Sequence, residues 1–148
     1  MKKALYGIFL SLLLASCGTT VYQLHSDCPE RKPEEVFKTL ISLLMREGFT
    51  VKESDVALGY LQAEATNKYS IWRGAGGSRI WVFQMDDGKI IGSAKEVYVY
   101  QNVFGAVINK TTTYFDDDTP LDESWYWSVR NALEQICGNK VYIWEKEI

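Results

Sequence analysis

Few side chains in this sequence could do chemistry, and their spacing limits how much. His25 is the only histidine and is read as lying in a linker close to the N-terminus, so imidazole metal clusters lack a second ligand and any Ser-His or Cys-His nucleophile system would depend on this one residue. A solvated or incidentally bonded His25 is the expectation. Asp116, Asp117 and Asp118 could offer oxygens to calcium, but the ligand alternation and later Glu of an EF-hand loop are missing, so a solvated turn is expected. The run Gly74-Ala75-Gly76-Gly77, between Arg73 and Arg79, could present backbone amides to an anion. It lacks the lysine and hydroxyl of a P-loop and stands between strand-like segments, which makes it a flexible hairpin link. Glu64 and Glu96 could face each other from neighbouring strands as the acid and base of a glycosidase, although nothing local to either marks that role. No catalytic, cofactor-binding or metal-binding residue is assigned on this basis, and neither a cofactor nor enzymatic activity is expected.

Chemistry of another kind is written at the N-terminus. Met1-Lys2-Lys3 is a charged start to the apolar run Ala4 to Leu13, the order of a secretory signal. The run falls short of the about 20 residues a spanning helix needs, and Cys17, Gly18, Thr19 and Thr20 follow without stop-transfer charges. Leu14-Ala15-Ser16-Cys17 resembles the lipobox of bacterial lipoproteins, in which an aliphatic residue and two small ones precede a cysteine linked to diacylglycerol. The resemblance covers the first 17 residues. It implies that residues 1–16 are a cleaved signal peptide and that Cys17 is the lipid attachment site, binding the chain to a membrane. An ordinary signal peptide with a later cut, or an uncleaved one, is the alternative. One acyl chain anchors marginally, at about 0.8 kcal/mol per buried methylene, whereas two or three make attachment effectively permanent. Gly18 stands where Asp commonly retains such lipoproteins in the inner membrane of Gram-negative cells, so the resemblance points to the outer membrane.

Removing residues 1–16 takes away Lys2 and Lys3 and no acid, moving the net charge from -3 to -5. No basic stripe is left to neutralise phosphates, which argues against nucleic acid as a partner and leaves lipid as the anchor. Beyond Cys17 the chain holds only Cys28 and Cys137, an even pair in a chain bound for an oxidising compartment. They are expected to bond, with two buried thiols as the alternative. Five Trp, nine Tyr and six Phe supply bulky apolar surface for a core, so wholesale disorder is excluded.

The elements that must position these residues follow from pattern. Thr20 to Leu24 reads as a short first strand within a tether of residues 17–27, ahead of one domain at 28–148. After a Cys28-Pro29 turn, Pro33 suits a first helical turn, Glu34 and Glu35 favour its positive end, and Phe37, Leu40, Ile41 and Leu44 share one face until Gly48. Strand patterns then run over Phe49 to Glu53, Gly59 to Thr66, Tyr69 to Arg73, Ile80 to Met85 and, past the hairpin turn Asp86-Asp87-Gly88, Lys89 to Tyr100. Residues 102–119 suggest a fifth meander strand. Thr119-Pro120-Leu121-Asp122 resembles a capped helix start, with Leu121, Trp125, Val129, Ala132, Leu133 and Ile136 as its stripe and Gly138 as its stop. Val141 to Trp144 makes a last strand. Runs of strands rather than strict alternation predict an α+β domain: an antiparallel sheet of about five to six strands with two helices on one face, in the order β-α-meander-α-β.

Glu47-Gly48-Phe49-Thr50-Val51, then Ser54-Asp55 and Gly59-Tyr60-Leu61-Gln62-Ala63, is similar to a pattern in small envelope lipoproteins, including the accessory lipoprotein subunit of the β-barrel assembly machinery. This covers about a fifth of the chain and implies fold more than partner, since that subunit has two such domains and a long leader. Two surfaces carry the functional expectation. Trp72, Trp81, Tyr98, Tyr100, Trp125, Tyr126, Trp127 and Trp144 exceed what one small core needs, and Val103 to Ile108 is an apolar piece in a region without a clear element. The expected role is a non-enzymatic accessory module that binds an envelope protein partner. Binding of a small ligand or glycan through exposed tryptophans is the runner-up, and an envelope hydrolase comes third.

Overall fold

Turn chemistry sets the pairing of the strands. In the computed structural model, which describes residues 20–70 and 75–147, Asp87 and Gly88 lie at φ 46° and 71°. That left-handed pair matches strand twist and closes a tight hairpin. The first strand, β1 (Thr20–Asp27), leads to helix α1 (Pro33–Arg46), then to β2 (Thr50–Asp55), β3 (Tyr60–Ser70), β4 (Ala75–Asp86), β5 (Lys89–Gln101) and β6 (Val107–Tyr114). Helix α2 (Ser124–Cys137) and β7 (Tyr142–Glu147) complete the chain. The Asp87-Gly88 hairpin joins β4 to β5, which stay in register from Asp86↔Lys89 to Ala75↔Tyr100.

The class is α+β with one antiparallel sheet, and the sheet has seven strands rather than five or six. The order is β2-β3-β4-β5-β1-β7, with β6 also on β5. The extra strand fits because β5 is long. Its first residues pair with β1 (Leu24↔Gly92 to Asp27↔Lys89) and its later ones with β6 (Lys95↔Tyr114 to Gln101↔Val107), so β1 and β6 lie end to end along one edge.

Both helices cover one face. Phe37, Leu40 and Leu44 of α1 and Tyr126, Val129 and Leu133 of α2 pack with Leu61, Ala63, Trp81, Phe83, Ile90 and Ala94 of the sheet. Phe83, Trp81 and Tyr126 stack in series, with centroids 5.1 and 5.7 Å apart and planes within 9° and 3°. Trp125 meets Trp81 and Phe115 edge-on, geometries that add to simple burial. Gly92 lies under this stack because a Cβ there would come within 2.9 Å of the Phe83 ring. Cys28 and Cys137 are bonded, with Cα atoms 4.5 Å apart, which ties the end of β1 to the end of α2.

Three expectations are corrected. Gly76 and Gly77 are not a link but part of β4, their backbones committed to pairing with Val99 and Tyr98. Gly77 is required because the Tyr98 ring lies over it, 3.2 Å from where a Cβ would stand. Helix α2 begins at Ser124, not at Pro120. The Thr119 hydroxyl accepts the Asp116 N–H at 2.9 Å and the Glu123 N–H bonds the Pro120 carbonyl at 3.0 Å, so two turns use up the segment that resembles a capped start. Leu121 is consequently exposed rather than in the helical stripe. Tyr69 and Ser70 end β3 instead of opening a separate strand, and Cys17, Trp72, Arg73 and Gly74 lie outside the described residues.

Candidate functional site: the helix-free face and the β5–β6 tip

Strand alternation sends one half of β3–β6 away from the helices. Cross-strand registers place Glu64, Ile80, Lys95 and Tyr114 in one row and Thr66, Ser78, Val97 and Thr112 in the next, with Val99 beside Lys110 beyond. These rows line a trough of about 810 Å³. Ile80, Val97 and Val99 make an apolar floor, while Glu64, Lys95 and Lys110 bring charges of both signs to it. The hydroxyls of Thr66, Ser78, Thr112 and Tyr114 complete its polar lining, so apolar contact and paired charge are both available to a bound molecule.

The strands that form the trough are apolar on both of their faces. Ile80-Trp81-Val82-Phe83 and Val97-Tyr98-Val99-Tyr100 lack clean alternation, the pattern of strands covered on two sides. Helices cover Trp81 and Phe83, which are buried, whereas Ile80, Val82, Val97 and Val99 on the other parity are only half-buried. This doubled pattern is the signal by which sequence reading could have located the trough.

At the end of the same ribbon, the loop between β5 and β6 holds its apolar side chains outward. Val103 is 93% exposed and Phe104 91%, with Val107 at 60% and Ile108 at 69% behind them. The loop is internally bonded. The Asn102 Oδ1 accepts the N–H groups of Phe104 and Ala106 at 2.9 and 3.0 Å, the Asn102 N–H donates to the Ala106 carbonyl at 2.9 Å, and Gly105 turns at φ 81°.

On the helix side, the row above the core closes with polar groups. The Arg79 Nε donates to Glu96 Oε1 at 3.3 Å, and its guanidinium lies over the Trp125 ring at 5.4 Å. The Trp125 Nε1 donates to Glu123 Oε2 at 2.7 Å. Burial, then the charge of Glu96 and a hydrogen bond to it, push the Tyr98 hydroxyl up from its ordinary value and keep it neutral. Glu96 is buried among these partners, which makes it a structural carboxylate holding the top of the core together.

The other singled-out residues are not gathered into one centre. Glu64 lines the trough and Glu96 faces the helices with Arg79, so the two carboxylates stand on opposite faces of the sheet and are not brought together. Asp117 pairs with Arg130 at 2.7 Å and Asp116 Oδ1 accepts the Asp118 N–H at 2.9 Å, so these acids brace a turn. Most of the aromatic set is structural: Trp81, Trp125 and Tyr126 are buried, and Trp127 lies beside Arg130 and donates to the Pro120 carbonyl at 3.0 Å. Trp144 and Tyr142 are exposed on the helix-free side of β7, where His25 stacks against them at 5.0 and 5.8 Å. Desolvation beside these rings, followed by the charge of Lys89, holds His25 below its ordinary pKa. Compared with known proteins, the chain matches no family model, no curated protein and no solved structure.

Proposed function

We propose that this chain is a lipid-anchored envelope protein, attached at Cys17, whose domain is a non-enzymatic accessory module binding an envelope protein partner in the trough of its helix-free face. One observation carries this reading. The strands of the trough read as covered on both faces, yet helices cover one, so Ile80, Val97 and Val99 stand as a floor awaiting a second cover. Glu64 on one side and Lys95 on the other, separated by Ile80 and thus by about 10 Å at ordinary strand spacing, supply charges that would set the partner's orientation.

Crosslinking in intact cells, with identification of what co-purifies, tests this reading. Wild type should capture a protein that Val97→Glu loses, because a carboxylate would be buried against an apolar surface. Cys17→Ala should lower the yield by removing the shared membrane. Equal capture by wild type and Val97→Glu would place the partner elsewhere, and no capture by any form would sink the accessory role.

A further inference from the structure

We propose that the β5–β6 tip seats Val103 and Phe104 in the headgroup layer of the phospholipid bilayer that holds Cys17. This rests on the anchor reading above and adds a second, non-covalent contact with the same membrane.

The geometry comes from strand direction. β1 runs antiparallel to β5, with Leu24 opposite Gly92, so Thr20, four residues earlier, is level with Glu96. The β5–β6 tip lies further along the same direction, and Val103 is seven residues beyond Glu96. At about 3.3 Å per residue, the tip extends roughly 23 Å past Thr20. Thr20 is three positions after Cys17, and three extended Cα-to-Cα steps reach at most about 11 Å. With β5 upright over the surface, a lipid on Cys17 therefore brings the tip beyond the point of attachment. The excess is about 12 Å with the tether fully extended, and a tilt of β5 from upright lowers it to the about 5–10 Å to which interfacial apolar groups sink.

The tip's composition suits that place. Between Glu96 and Asp116 the sequence contains no acid and a single cation, Lys110, in a chain whose net charge is -3. The flanking acids Glu96 and Asp116 thus stand several residues back from a surface that carries phosphate. Val103 and Phe104 project from a loop already ordered by Asn102, so inserting them requires little further ordering of the backbone.

The test places a photo-crosslinking residue in the full-length chain in cells, as Phe104→p-benzoyl-phenylalanine, with Leu58→p-benzoyl-phenylalanine as comparison. Leu58 is also exposed and apolar, but it sits in the β2–β3 turn at the opposite end of the sheet. Radiolabelled palmitate reports on Cys17 in the same cells. The expected result is palmitate on Cys17 and a phospholipid adduct at position 104 exceeding that at 58 by roughly tenfold or more. Palmitate incorporation with only a protein adduct at 104, or with equal lipid adducts at both positions, overturns the insertion and leaves the anchor standing. Failure of palmitate to enter overturns the anchor and, with it, this inference.

Discussion

His25 illustrates how the surroundings of one side chain set its protonation. Stacking against Trp144 and Tyr142 strips water from the imidazole, and Lys89 adds a repelling charge, so the folded chain binds a proton less readily than an unperturbed histidine, whose pKa is about 6.5. Between the lowered value and 6.5 the unfolded state binds more protons, and stability therefore rises with pH across that window. The contribution is fully present above 6.5 and is lost as the pH falls below it. Thermal midpoints recorded from about pH 7 down to about pH 5 should decline, and His25→Phe should decline less steeply. Identical slopes for the two proteins would show that His25 does not titrate differently on folding.

At the scale of elements, the turns and edges hold the strands in register. Gly59 closes the β2–β3 turn at φ 65°, where its carbonyl accepts the Met85 N–H at 2.7 Å and an added Cβ would collide with the Met85 carbonyl. Gly59→Ala combines a left-handed backbone with a backbone clash and should cost about 2 kcal/mol or more. Urea denaturation measures it, and a loss below about 0.5 kcal/mol would mean that the turn shifts without disturbing β4. Two of the outer strands limit edge-to-edge pairing by charge. β2 presents Lys52, Glu53 and Asp55, and β7 contains Glu145 and Lys146.

For the whole molecule, the Cys28–Cys137 bond spans 109 residues and joins the start of the fold to its last helix. A loop of that length should contribute about 2–4 kcal/mol, chiefly by restricting the unfolded chain. The paired change Cys28→Ala with Cys137→Ala should lower the unfolding free energy from urea denaturation by that amount without altering the native far-ultraviolet spectrum. Wild type treated with reductant should unfold at the same midpoint as the double variant. A wild type indifferent to reductant would contradict the bond.

Local patterns in the sequence determined much of the fold. The stripe Phe37, Leu40 and Leu44 places α1, Asp87-Gly88 places the central hairpin, and the alternation of Leu61 and Ala63 identifies the buried face of β3, because each signal acts between near neighbours. The single histidine likewise restricts the chemistry before any coordinate is known. Tertiary structure alone decided the rest. Gly76 and Gly77 look like a loop until Tyr98, from another strand, is seen lying across the second of them. Thr119-Pro120 looks like a helix start until Asp116 takes the Thr119 hydroxyl. Glu64 and Glu96 look like partners until pleating sends them to opposite faces. The trough and the outward set of Val103 and Phe104 depend on β1 and β6 sharing one edge of β5. That arrangement is a pairing between distant segments, and no local propensity encodes it.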